Sequence, residues 1–136
     1  MIQPIMKDFF FLQQPSQVAT QADLQVGIDL QDTLRAHQEH CVGMAANMIG
    51  VQKRIIIVNM GFTNLVMYNP VLLSKAGPYE TEEGCLSLVG SRPTTRYQEI
   101  TVSFFNQDWK KQTLTLKDFP AQIVQHELDH LEGIII

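Results

Sequence analysis

The sequence predicts an α+β fold, with antiparallel or mixed sheets packed around a C-terminal helix. Three observations carry this. Apolar residues between Leu24 and Leu34 recur at helical spacing. The middle of the chain holds several short β-branched or alternating runs, from Arg54–Asn59 to Leu114–Leu116. Beyond Pro120 the pattern becomes helical again. The order helix, strands, helix is not the alternation that builds a parallel βαβ sheet.

Each element has a local reason. Residues 1–20 are punctuated by Pro4 and Pro15 and read as irregular. Thr20 is placed to cap a helix, with Asp23 in its first turn, where an acid favours the helix dipole. From there to about His40, Val26, Leu30 and Leu34 recur every four residues, and Leu24 and Ile28 widen the apolar face. That stripe reads as core packing; Gly27 weakens the helix. Arg54–Asn59 reads as a buried strand, and Asn64–Tyr68 as a second after a turn at Gly61. Asn69-Pro70 breaks the second strand before Val71–Leu73 continues extended, and Ala76-Gly77-Pro78 predicts a further turn. Ile100, Val102 and Phe104 alternate, and Leu114 and Leu116 return after a turn at 106–111, which predicts a hairpin. Phe119, Ile123 and Val124 mark the buried side of the last helix, and Gly133 ends it.

With 136 residues, 45% of them apolar and 18% charged, the chain reads as a single globular domain over residues 1–136. A net charge of -4 excludes a global basic field for nucleic acid or anionic membrane. Arg92, Arg96, Lys110 and Lys111 are scattered and read as surface charge or local anchors. Phe9–Leu12 is short and lacks a basic leader, so no secretory signal is expected, and no run reaches membrane-spanning length. Two cysteines, Cys41 and Cys85, suit a reducing cytoplasm.

The last helix carries Gln125-His126-Glu127-Leu128-Asp129-His130. Residues four apart share a helix face, so His126 and His130 can supply two corners of a tetrahedral metal site. Glu127 lies where its carboxylate can serve an activated water as proton shuttle without being a ligand. A third ligand is then needed, and Cys85, in Glu83-Gly84-Cys85-Leu86-Ser87, is the candidate. A cysteine judged alone is more often buried and inert; beside two histidines it completes a Cys-His-His set. Thiolate and imidazole suit iron or zinc, and spacing does not choose between them.

Three segments together resemble peptide deformylases: Cys41–Gly50, Glu83-Gly84-Cys85-Leu86-Ser87 and Gln125–His130. That family shows Gly-x-Gly-x-Ala-Ala-x-Gln, Glu-Gly-Cys-Leu-Ser and a Gln-His-Glu-x-x-His helix in this order. The resemblance implies removal of the N-formyl group from the first methionine of newly made polypeptides, with Fe(II), or Zn(II) or Ni(II) in its place. It implies that Cys85, His126 and His130 hold the metal, that Glu127 moves the proton, and that the Leu86 N–H donates to the oxyanion. It implies that Val42, Gly43 and Gly84 present backbone groups to an extended substrate. It implies a formyl-Met peptide as partner, passing proximity to the ribosome, and no nucleic acid or membrane; the oligomeric state stays open. The chain stops soon after the metal helix, as in shorter members, so no ribosome-docking extension is expected.

Two positions depart from the pattern: Met48 stands where the family has Gln, and Cys41 where it has the first Gly. The Gln is a donor to the oxyanion, and a thioether cannot donate. The expected site therefore binds metal but deformylates weakly or acts on a related substrate. Cys41 reads as a small core residue, a thiol beside the cleft, or a redox partner of Cys85. The competing readings are a protein of this fold that binds formyl-Met or other N-acylated ends without turnover, and another metal hydrolase such as an aminopeptidase, which the Cys ligand opposes. A purely structural metal site would give Glu127 no role.

Overall fold

In the computed structural model, which describes residues 1–85 and 88–134, five strands form one sheet in the order β1-β2-β3-β4-β5, every neighbouring pair antiparallel. The strands are β1 (Gly43–Ala45), β2 (Ile55–Asn59), β3 (Asn64–Cys85), β4 (Leu88–Phe105) and β5 (Lys111–Lys117). Helix α1 (Phe9–Leu12) and helix α2 (Leu24–Ala36) precede the sheet, and helix α3 (Asp118–Leu131) follows it. The α+β prediction is borne out.

Strand β2 shows why the core lies where it does. Its side chains alternate: Ile56 and Val58 join the cluster with Val124 and Leu131 of α3, while Ile55 and Ile57 join Leu30 and Leu34 of α2. The strand is therefore buried on both faces, which explains an uninterrupted apolar run. Thr20 caps the entry to α2 as expected: its Oγ1 accepts from Ala22 N at 3.3 Å and Asp23 Oδ2 accepts from Thr20 N at 2.8 Å.

Several expectations are corrected. The first twenty residues are not all irregular, because Asp8 Oδ1 caps a short helix at Phe9. Helix α2 ends at Ala36 rather than His40. Ile28 and Phe119 are 42% and 55% exposed and lie off the buried faces assigned to them. Neither Asn69-Pro70 nor Ala76-Gly77-Pro78 ends β3; register shifts absorb the first, and β3, 22 residues long, pairs with β4 from Tyr68 to Cys85. Asn69 sits at φ 52, a conformation that Asn tolerates, and its amide clamps both main-chain groups of Ala19. Gly133 stops α3 at φ 76 as expected. Of the terminal isoleucines, Ile134 is exposed, and Ile135 and Ile136 lie outside the described residues. Among the described residues, no helix is long and apolar enough to cross a membrane.

Gly27 has a packing role that helix propensity hides. A Cβ there would lie 1.9 Å from the Tyr68 Oη, which donates to the Leu24 carbonyl at 2.9 Å. Gly27→Ala is expected to lower stability by about 1–3 kcal/mol through overpacking, although Ala is the better helix former. Urea unfolding checks this, and a raised midpoint would contradict it.

Candidate metal centre and cleft

Helix α3 turns an unusual row of polar side chains inward: Gln125, His126, Glu127 and His130 are all buried. Such a row needs partners. Gln125 finds them on the sheet, accepting from Tyr97 N at 2.8 Å and donating to Tyr97 O at 2.7 Å. This clamp fixes the helix against β4.

The clamp leaves both imidazoles facing the end of β3. The Nε2 atoms of His126 and His130 are 3.1 Å apart, and the ligand atoms of Cys85, His126 and His130 all lie within 4.8 Å of one another. Metal–nitrogen bonds of about 2.0–2.1 Å at a tetrahedral angle set two nitrogens about 3.3 Å apart. The donor set thus fits one metal ion with a fourth position left for another ligand.

Behind His126 stands a charged support that the sequence did not single out. Glu83 Oε1 lies 2.7 Å from His126 Nδ1, which turns Nε2 toward the centre. Glu83 is held by Arg96, through Nε at 3.0 Å and an Nη at 2.7 Å, and by Gln122 Nε2 at 2.8 Å. Arg96 also reaches Asp129 at 2.7 Å. Burial alone would raise the Glu83 carboxyl; the bonds from His126, Arg96 and Gln122 outweigh it and hold it down to about 2. Arg96 is therefore no surface charge: it is 4% exposed. Gln122 stands four residues before His126, so helical spacing could have flagged it. Arg96→Ala leaves two carboxylates without their cation and is expected to cost about 3–5 kcal/mol. Unfolding in denaturant would show it; a loss under 1 kcal/mol would make the pair peripheral.

Glu127 is 3% exposed, and its Oε1 has no hydrogen-bond partner. Burial pushes its carboxyl up to about 7, where it can both take and return a proton near neutrality. It lines a cleft of about 470 Å³ with Cys85, His126, Gly43, Gly84 and Met48. Gly43 leaves the space Glu127 occupies, since a Cβ there would lie 3.0 Å from Glu127 Oε2 and 2.6 Å from Ile123 Cγ2.

The remaining expected residues are placed as follows. Val42 reaches the cleft, and its carbonyl already accepts from Asn59 N at 2.8 Å. Met48 is on a short 3-10 turn, Ala46–Ile49; it is 1% exposed, and its Sδ accepts from Ala45 N at 3.5 Å. Cys41 and Cys85 are free thiols. Cys41 packs on the core and also lines the cleft, its Sγ donating to the Gly43 carbonyl at 2.9 Å, and burial pushes it up to about 12. Leu86 lies outside the described residues.

The model of the family described as polypeptide deformylase matches residues 7–136. The chain belongs to that family. It is 55% identical, over the full length of both chains, to a peptide deformylase of Clostridium beijerinckii. A second relative, the peptide deformylase of Nitrosococcus oceani, is 37% identical over 77% of this chain and 64% of its own. Among solved structures, the actinonin-bound class I type b peptide deformylase of Acinetobacter baumannii superposes with a TM-score of 0.88 at 29% identity, over 99% of this chain and 95% of that one. A peptide deformylase of Legionella pneumophila gives 0.88 at 31% identity, over 99% and 83%. Deformylases are hydrolases of N-formyl peptides, and the Cys-His-His group meets their dependence on a metal.

Proposed function

We propose that the chain hydrolyses the formyl amide at the N-terminal methionine of newly made polypeptides. Water and the formamide give formate and a free amine. The observation that carries the reading is a buried carboxylate, Glu127, in a cleft beside a three-ligand Cys-His-His group. A structural metal site would fill its fourth corner from the protein and would leave such a carboxylate without work.

Cys85, His126 and His130 hold the metal, Fe(II) in this reading, with Zn(II) and Ni(II) suited to the same donors. A metal held by these three residues would polarise the formyl oxygen and acidify water. Glu127 takes a proton from the attacking water and passes it to the departing nitrogen. The Leu86 N–H donates to the oxyanion. Strand β1 is an edge of the sheet, so an extended substrate pairs with Val42 and Gly43 on one side and Gly84 on the other. Since the Gly43 carbonyl accepts from the Cys41 thiol, that thiol turns aside for a substrate N–H. The protein works in a reducing cytoplasm, where neither cysteine is oxidised, and its substrates bring it briefly to the ribosome.

The test is formate release from a formyl-Met peptide by protein purified without oxygen and loaded with Fe(II). Release is expected, and it should stop on chelation. No formate from folded, metal-replete protein would overturn the reading.

A further inference from the structure

The two imidazoles are supported unequally. His126 Nδ1 has a carboxylate at 2.7 Å. His130 is wholly buried, and its Nδ1 has no hydrogen-bond partner. A neutral imidazole that coordinates through Nε2 carries its proton on Nδ1. Metal binding therefore fixes a buried N–H on His130, and a buried donor calls for an acceptor.

The complementary group is on Asn47. This side chain is also wholly buried, and its Nδ2 donates to the His130 carbonyl at 2.9 Å. That bond settles which way the amide faces and leaves Oδ1 as the atom free to accept. Asn47 Oδ1 is buried and without a partner. Among the described residues, two other buried side-chain oxygens share that condition. Glu127 Oε1 belongs to the cleft, and Ser16 is joined to α3 only through its main chain, at Leu131.

We infer that Asn47 is a positioning residue for the metal centre, its side-chain carbonyl accepting the Nδ1–H of His130. The inference rests on the metal reading above. Asn47 Nδ2 anchors the end of α3 while Oδ1 sets the ring, so one amide fixes both the main chain and the side chain of a ligand. It does for His130 what Glu83 does for His126, with a neutral group in place of a charged one.

The test uses the full chain loaded with Zn(II) and labelled with nitrogen-15 in histidine. The His130 Nδ1–H is expected as a slowly exchanging proton resonance. In Asn47→Leu, which has similar bulk and no acceptor, the resonance should be lost to exchange, and zinc affinity by chelator competition should fall about 10–100-fold. Asn47→Asp keeps an acceptor and should restore the resonance. Ser16→Ala should leave it in place. An unchanged resonance in Asn47→Leu, loss in Ser16→Ala instead, or equal loss in Asn47→Leu and Asn47→Asp would each overturn the inference. Failure of the wild-type protein to take up Zn(II) would instead sink the metal reading, and this inference with it.

Discussion

Glu127→Gln is expected to reduce kcat by about 10²–10⁴-fold while leaving metal content unchanged. The substitution keeps the shape of a side chain that is 3% exposed and removes only its ability to carry a proton. The carboxylate is not among the ligand group of Cys85, His126 and His130, so the metal should stay. Its burial and its unpartnered Oε1 are what a proton shuttle requires: a group held near the reacting atoms with nothing else to bind. Steady-state turnover of a formyl-Met peptide, with metal analysis of the same sample, checks both halves. Activity within tenfold of wild type would remove Glu127 from the chemistry. Loss of metal together with activity would make it a structural support instead.

Met48→Gln is expected to raise kcat by about 10²–10³-fold, the usual worth of one oxyanion donor, roughly 2.7–4 kcal/mol. Met48 lines the cleft, and its sulfur accepts from the Ala45 N–H, so it offers nothing to a developing negative charge. Gln is also unbranched and close in size, and its amide oxygen can take over the Ala45 N–H while its nitrogen donates toward the cleft. A donor that matters only in the transition state should move kcat and leave KM nearly unchanged. Unchanged turnover in this variant would show that the missing amide is not what limits the rate. The oxyanion would then rest on other donors.

Much of the site could be read along the chain. The four-residue step from His126 to His130 fixes two imidazoles on one helix face whatever the rest of the protein does. Thr20 and Asp23 announce a helix start, and Pro120 and Gly133 bracket the last helix, because capping and backbone preferences act within a few residues. The long hairpin was harder. Ala76-Gly77-Pro78 carries every local mark of a turn, yet β3 continues through it because β4 pairs on both sides of Gly77, at Ala76 and at Pro78. Local preference there is overridden by ladder hydrogen bonds from residues far along the chain. Ile28 and Phe119 fail for a related reason: periodicity gives the width of an apolar face, and packing decides how much of it is covered.

The sequence by itself determined the fold class, the helix that carries the histidines and the acid beside them, and the Cys85 motif. These are short-range patterns with fixed geometric consequences. Only the tertiary structure decided that Cys85 meets the two imidazoles, that Arg96 is buried between Glu83 and Asp129, and that Asn47 grips His130 from 83 residues away. Such contacts depend on sheet register and on the docking of α3, and those are set by the core as a whole rather than by any one segment. The same holds for Gly27, whose missing side chain makes room for the Tyr68 ring 41 positions later in the numbering (68 − 27). Burial is a property of the packed molecule, and no local pattern contains it.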